Sequence, residues 1–249
     1  MNDPANDPMH ALLHKIDGYL YDLVTLFDID KRAWVLGGVV FLEELRQRSI
    51  EQVPLSSLVE RAFADDGFPA VPSPFTPRDL AWKVHDKFDY ADTSIDVNDY
   101  IGLDVKLATD RRCAVGEGLS RARLDDGSLQ PTHVLLSDVE AVAVDCVALA
   151  RALSAHTHYE GPALLLVEVL CESPEAPLEL RVYDEGNGEH LRPPAGYRYF
   201  APMRMPFNFP LTEDEEQRLL WDLARDMCLQ FGVFEPQLIR PPSLQHVTA

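Results

Sequence analysis

The strongest suggestion of enzymatic chemistry in this sequence comes from an aspartate and a lysine that stand two positions apart. Asp104 and Lys106 lie in residues 100–108, a stretch whose composition predicts a β-strand. Because successive side chains of a strand point to opposite faces, these two would project from the same face. Asp96 or Asp99, a few positions upstream, could add a second carboxylate.

This stretch resembles the metal-binding strand of the PD-(D/E)xK nuclease superfamily. The resemblance implies catalytic roles for Asp96, Asp104 and Lys106, with the carboxylates holding Mg²⁺ and the lysine helping to activate water. The alternative is an exposed strand face that carries an opposite-charge pair. We favour this alternative because short motifs often match by chance, and we expect the protein to be non-catalytic.

The histidines offer a second kind of chemistry, metal binding. His10 and His14 are four positions apart on a predicted helix, but the sequence places no third ligand beside them, so we interpret them as solvated side chains. His156 and His158 follow a predicted helix end, where a cationic side chain suits the helix dipole. The sequence also lacks a nucleophile elbow, a P-loop and a dinucleotide-binding pattern. We therefore predict no metal site and no cofactor.

A segment rich in aromatic, methionine and arginine side chains is the candidate partner-binding surface. These residue types are enriched in the cores of protein interfaces, and the prolines at 202, 206 and 210 favour an edge strand or an extended loop. The alternative, that these side chains fill the core under a long loop, stays open. The predicted partner-binding residues are Tyr197, Tyr199, Phe200, Met203, Arg204, Met205, Phe207 and Phe209.

The overall charge narrows the classes of function. The chain has 249 residues, of which 41 are acidic and 22 basic, and its formal charge is −19. A chain this acidic repels phosphate backbones unless its basic residues cluster, so direct nucleic-acid binding is disfavoured.

No apolar run approaches the roughly 20 residues that span a bilayer, and the first residues lack the pattern of a signal peptide. We predict a cytoplasmic protein with no membrane association.

Helical signals dominate the first part of the chain. Apolar residues recur at helical spacing and predict helices over residues 7–27, 30–48, 54–64 and 76–88, followed by a loop over 89–99. Gly37 and Gly38 interrupt the second helix, and the usual reason to tolerate such glycines is a neighbouring backbone that passes close by. The third and fourth helices could form a winged-helix unit that makes protein contacts, since the segment between them is long for a DNA-reading helix-turn-helix.

Local signals are stronger from Ser137 onward. Ser137 can cap a helix, and residues 161–171 form the most continuous apolar run of the chain, which predicts a strand buried on both faces. Residues 178–184 alternate between apolar and polar side chains and predict a half-exposed strand. A capping box opens a helix over residues 212–231, and Gly232 supplies its stop.

Together these signals predict an α+β protein: a helical N-terminal portion followed by an α-β-β-(β)-α unit with a small sheet. We place the mainly helical portion at residues 1–110, the α+β portion at 111–236 and a loose tail at 237–249. We expect a non-catalytic interaction protein, such as an accessory or regulatory subunit of a larger intracellular assembly. Its partner would be another protein or further copies of this chain. Two alternatives stay open, a Mg²⁺-dependent PD-(D/E)xK-like nuclease and an acidic inhibitor that mimics nucleic acid.

Overall fold

The computed structural model describes residues 33–43, 85–87, 90–98, 101–108, 112–119, 133–171, 179–183, 190–191, 200–230, 232–233 and 235–242. These residues form strands β1 (Ala33–Phe41), β2 (His85–Lys87), β3 (Tyr90–Asn98), β4 (Ile101–Ala108), β5 (Arg112–Leu119), β6 (His133–Leu135), β7 (Gly161–Cys171), β8 (Glu179–Tyr183), β9 (His190–Leu191) and β10 (Met203–Phe209), and helices α1 (Leu136–Thr157) and α2 (Glu213–Gln230).

The strands form two sheets. The larger sheet has seven strands in the order β10-β7-β1-β5-β4-β3-β2, and every neighbouring pair in it is antiparallel. The smaller sheet has the order β6-β8-β9, with β6 parallel and β9 antiparallel to β8. Helices beside a mainly antiparallel sheet define the α+β class, so the predicted class is confirmed. Strands from both sides of residue 110 pair in the larger sheet, and the predicted division into separate portions stays a prediction.

Strand β7 has the bounds predicted from its apolar run and lies between β1 and β10. Leu165 and Leu166 are adjacent in sequence and both almost completely buried. Because adjacent side chains of a strand point to opposite faces, β7 is covered on both faces at this point, as its sequence indicated.

The helix predicted over residues 30–48 is wrong across residues 33–41, which form strand β1. The run from Val35 to Phe41 is uninterrupted by a polar residue, and such a short run fits either a buried helix or a strand buried on both faces. Antiparallel pairing with both β5 and β7 decides in favour of the strand.

Gly37 lets β1 approach helix α1 closely. A Cβ atom at this position would lie 2.4 Å from Cys146 Sγ and 2.8 Å from Val142 Cγ1, well inside the usual contact distance of about 3.5–4.0 Å between carbon atoms. The glycine that weakened the helix prediction therefore has a packing role. The close neighbour is the side-chain layer of α1.

The loop predicted over residues 89–99 is also wrong, because residues 90–98 form strand β3 and pair with β4. The helix predicted over 76–88 is wrong at residues 85–87, which form β2. Strand formation depends on pairing partners more than on intrinsic preference, and the acidic character of β3 hid its pairing with β4. The strand predicted over 100–108 is confirmed as β4. The helices predicted over 7–27 and 54–64, with residues 76–84, lie outside the described residues.

Helix α1 is the central element of the described core. Its residues 139–150 are all buried, because the helix packs on β1, β5 and β7 of the larger sheet and also contacts α2, β6 and β8. A helix that is buried on all sides needs apolar residues around its whole circumference, which explains the wide apolar face of its sequence. The helix predicted from Ser137 is confirmed, but it begins at Leu136, so Ser137 lies within its first turn and is not the cap residue.

Tyr159 connects the end of α1 to the ends of three strands. Its hydroxyl donates a hydrogen bond to the Pro162 carbonyl oxygen at 2.6 Å and accepts one from the Glu43 N–H at 3.2 Å. Its ring meets those of Phe41 and Phe209 edge to face, at centroid separations of 4.9 and 6.3 Å. A single buried side chain thus joins β1, β7 and β10.

Both ends of helix α2 form as the sequence predicted. Thr212 Oγ1 accepts a hydrogen bond from the Glu215 N–H, while the Thr212 N–H donates to Glu215 Oε2 at 2.9 Å, the reciprocal pattern of a capping box. The Thr212 N–H and hydroxyl hold the pKa of Glu215 below its ordinary value. At the other end Gly232 has a φ of 70°, and the N–H of Val233 donates to the Cys228 carbonyl oxygen, as in a Schellman motif.

Neither described helix is long and apolar enough to cross a lipid bilayer.

Candidate functional site

The predicted partner-binding segment contains an edge strand. Strand β10 ends the strand order of the larger sheet, and within the described part of the chain it pairs with β7 alone. This position agrees with the edge strand that the prolines indicated. Pro206 lies in the middle of β10, opposite Leu164, and proline is tolerated in a sheet mainly on such edges. Tyr197 and Tyr199 lie outside the described residues.

Half of the predicted surface is used inside the protein. The side chains of Phe200, Met203, Phe207 and Phe209 are buried in the main hydrophobic core. The ring of Phe209 stacks on that of Phe41, with centroids 5.5 Å apart. Core filling, the alternative weighed for this segment, therefore accounts for these four side chains.

The outward positions of β10 differ in character from the buried ones. Arg204, Pro206 and Asn208 occupy the outward positions and are exposed, whereas Met205 lies on the inward side and is partly buried against the core. Arg204 and Met205 are thus the members of the predicted surface that another molecule could contact in this conformation. Their role in binding stays a prediction.

A side-chain amide supports the start of β10. Gln230, at the end of α2, accepts a hydrogen bond from the Ala201 N–H at 2.8 Å and donates one to the Ala201 carbonyl oxygen at 3.2 Å. These two bonds imitate the pairing of a neighbouring strand. Helix α2 therefore fixes the chain just before β10, and the inward aromatic side chains fix the strand itself.

The three residues of the nuclease alternative lie on two neighbouring strands. Asp104 and Lys106 belong to β4, and Asp96 lies on β3 opposite Gly102. The register also places Asp92 opposite Lys106, an acidic position that our sequence reasoning did not single out. Interpreting residues 90–98 as a strand would have revealed it. The pairing accommodates both interpretations, a metal-binding strand pair and an opposite-charge cross-strand pair.

The most elaborate polar arrangement in the described residues surrounds Glu140, in the first half of α1. Its side chain is fully buried. Oε1 accepts a hydrogen bond from the Gln237 N–H at 2.7 Å, and Oε2 accepts bonds from the N–H groups of Leu238 and Ile239 at 2.7 and 2.8 Å. One carboxylate thus holds three consecutive main-chain N–H groups from a segment almost a hundred positions away in sequence.

Burial dominates the electrostatics of this arrangement. It raises the pKa of Glu140, and the three N–H donors lower that pKa without offsetting the effect of burial. The same surroundings raise the pKa of the Cys228 thiol to about 12, through burial and the nearby Glu140 charge. A thiol with so high a pKa holds very little thiolate at neutral pH and is a poor nucleophile.

The Glu140 arrangement lies in a segment that we had predicted to be loose. Residues 237–239 are bound to α1, and the Ile239 side chain belongs to the hydrophobic core. Residues 243–249 lie outside the described residues. No local signal predicts this contact, because Glu140 and Ile239 approach each other only when the chain has folded.

A second buried carboxylate joins the two helices. Glu216, near the start of α2, is almost completely buried, and its Oε2 lies 3.9 Å from Arg151 Nη1 on α1.

Among the described residues no group of three or more histidine, cysteine, aspartate or glutamate side chains is arranged to hold a metal ion. Of the histidines considered above, His156 is half-buried and His158 exposed near the end of α1, while His10 and His14 lie outside the described residues.

Comparisons with protein-family models, with curated proteins and with solved structures found no match to this chain.

Proposed function

We propose that this protein is a non-catalytic interaction protein, an accessory or regulatory subunit of a larger intracellular assembly, and that the outer edge of β10 contacts its partner. The observation that carries the proposal is the position of β10 at the edge of the sheet that the described strands form, with Arg204 exposed beside the partly buried Met205. An edge strand offers main-chain N–H and C=O groups to which another chain can add a strand.

The packing of the inward side of β10 supports this proposal, because it makes the strand rigid. Because Phe207 and Phe209 are buried in the core and Gln230 binds Ala201, the strand has little conformational freedom left to lose. Binding to a segment that is already ordered avoids much of the entropic cost of association. The aromatic side chains would thus act indirectly, by presenting the edge.

The exposed side of β10 suggests the chemistry of the partner. Arg204 is a basic residue on the surface of a chain whose formal charge is −19. Its guanidinium can bind a carboxylate in a bidentate manner. Pro206 lacks an N–H, so an added strand can pair with only part of the edge. We therefore expect a partner strand that is short and carries an acidic residue near Arg204.

The experiment compares two charge reversals in the protein purified from its own cells. Arg204→Glu changes the exposed edge, and Arg225→Glu makes the same change in charge at an exposed position of α2. We expect the wild type and Arg225→Glu to co-purify with one protein in fixed stoichiometry, and Arg204→Glu to lose it while keeping its circular dichroism spectrum. Retention of the partner by Arg204→Glu would contradict a role for this edge.

The second candidate is the nuclease, which is supported by the position of Asp96 on the strand next to that of Asp104 and Lys106. Its test is hydrolysis of DNA and RNA with Mg²⁺ by the purified protein, with Asp104→Ala and Lys106→Ala as controls. Activity that both substitutions abolish would establish the nuclease, and activity that neither changes would identify a contaminant. The acidic inhibitor stays a prediction.

A further inference from the structure

The C-terminal strap, defined here as residues 235–242, has mostly exposed or partly exposed side chains. Ile239 is its one buried side chain among those described. Gln217 Nε2, on α2, donates a hydrogen bond to the Pro241 carbonyl oxygen at 3.4 Å. The side chains of Leu238 and Arg240 are exposed. A segment with so few buried apolar contacts belongs to the part of a protein that opens most easily.

The main anchor of the strap is the Glu140 carboxylate. It accepts the N–H groups of Gln237, Leu238 and Ile239 at 2.7–2.8 Å, and hydrogen bonds to an ionised acceptor are stronger than those between neutral groups. This contact recognises the main chain and not particular side chains. Ile239 is the strap residue whose side chain is buried in the hydrophobic core.

These contacts have the composition of a peptide-binding site. A fixed acceptor on a rigid helix holds main-chain donors, and one apolar pocket selects a side chain, as in other proteins that bind extended peptides. Glu140 is well suited to be the fixed acceptor, because α1 is buried on all sides along residues 139–150. A competing peptide needs this acceptor to keep its position when the strap leaves, and Glu140 lies on a helix that packs on three strands of the larger sheet.

We propose that Glu140 and the pocket for Ile239 form a peptide-binding site that the chain's own strap occupies and that a peptide of the same chemistry can take over. Its ligand is a segment with three consecutive main-chain N–H groups, the third on an aliphatic residue. Proline is excluded at those three positions because it lacks the donor. The site is separate from the edge of β10 and does not depend on the function proposed above.

The test uses the full-length protein and a synthetic peptide with the sequence of residues 235–242, Glu-Pro-Gln-Leu-Ile-Arg-Pro-Pro. A tethered segment competes at an effective concentration on the order of 1 mM. Peptide at about ten times that concentration would displace the strap in roughly ten of every eleven molecules. Amide hydrogen exchange, read by mass spectrometry, reports the displacement at residues 237–239 of the protein.

We expect the peptide to accelerate exchange at residues 237–239 at least about tenfold and to leave the buried amides of α2, such as Leu220 and Leu223, unchanged. The matched control is the same peptide with aspartate in place of the isoleucine, which should have no effect. Unchanged exchange at residues 237–239 in saturating peptide would overturn the proposal, as would an equal effect of the control peptide.

A variant gives an independent measurement. Glu140→Gln keeps the volume of the side chain but replaces one acceptor oxygen by an NH₂ donor, so at least one strap N–H loses its partner. We expect faster exchange at residues 237–239 with unchanged exchange in α2, and no effect of Glu160→Gln, which removes an exposed carboxylate next to β7. Equal acceleration in α2 would show that the strap opens only with the whole protein, and that would overturn the proposal.

Discussion

Replacing Gly37 by alanine tests the packing of β1 on α1 most sharply. The added Cβ would lie 2.4 Å from Cys146 Sγ and 2.8 Å from Val142 Cγ1. Both residues are fully buried in a helix that is covered on all sides, so neither side chain has free space to move into. The methyl group must therefore displace the strand or the helix.

The magnitude follows from two opposing effects. Overpacking of a well-packed core destabilises by about 1–3 kcal/mol. Alanine restricts the unfolded chain more than glycine does, and this lower entropy of the unfolded state stabilises the protein by about 0.4–1 kcal/mol. For Gly37→Ala we expect a net loss of about 2 kcal/mol in the free energy of unfolding, because the overlap is large. In a chain of this length that corresponds to a fall in Tm of roughly 4–8 °C.

The assay is urea unfolding, monitored by circular dichroism. It compares wild type, Gly37→Ala, Cys146→Ala and the double variant. Cys146→Ala removes the sulfur nearest to the added methyl group, so the double variant should be more stable than the two single effects predict, by at least about 1 kcal/mol. If residues 33–41 formed the helix that their spacing first suggested, Gly37→Ala would instead stabilise the protein by about 1 kcal/mol. A stabilising substitution, or strictly additive effects, would refute the contact between β1 and α1.

Three further predictions concern other parts of the described core. Burial raises the pKa of Glu140 above its ordinary value of 4.5, so in the pH range between 4.5 and this higher pKa the folded chain keeps a proton that the unfolded chain has lost. The stability of wild type relative to Glu140→Gln should therefore fall as the pH rises above 4.5 in urea titrations, and a rise would contradict this prediction. Because the pKa of Cys228 is raised to about 12, its reaction with iodoacetamide at pH 8 should be at least about tenfold slower in the folded than in the urea-unfolded protein. Peptide mapping measures the two rates, and equal rates would show an accessible thiol. Thr212→Ala removes the capping box and should cost about 1 kcal/mol of stability, whereas Asp226→Ala, at an exposed position of the same helix, serves as the reference substitution. An unchanged urea midpoint for Thr212→Ala would mean that the cap contributes nothing.

The elements that could be predicted from the sequence carry their signals within a few residues. The bounds of β7 follow from one apolar run, and the ends of α2 follow from the capping box and Gly232. The edge position of β10 agrees with its prolines, because an edge strand tolerates a missing N–H. In each case the local sequence and the final packing favour the same structure.

The errors have the opposite origin. The apolar residues of β1 fit a helical period and a continuous buried strand equally well, and only the pairing with β5 and β7 distinguishes the two. Strand β3 carries aspartates that suggested a loop, although its partner β4 was recognised. The Glu140 contact joins positions almost a hundred residues apart, so no local pattern encodes it. Sequence reasoning alone could not have found that site.

The mass of the particle that contains this protein in its own cells tests the proposed function most directly. The chain itself has a mass of 28.0 kDa. Gentle purification followed by light scattering and identification of every co-eluting chain would give the composition of that particle. We predict a larger complex with a different protein present in fixed stoichiometry. Elution of the chain alone, as a monomer or a homodimer, would contradict the role as a subunit and make the nuclease assay the next measurement.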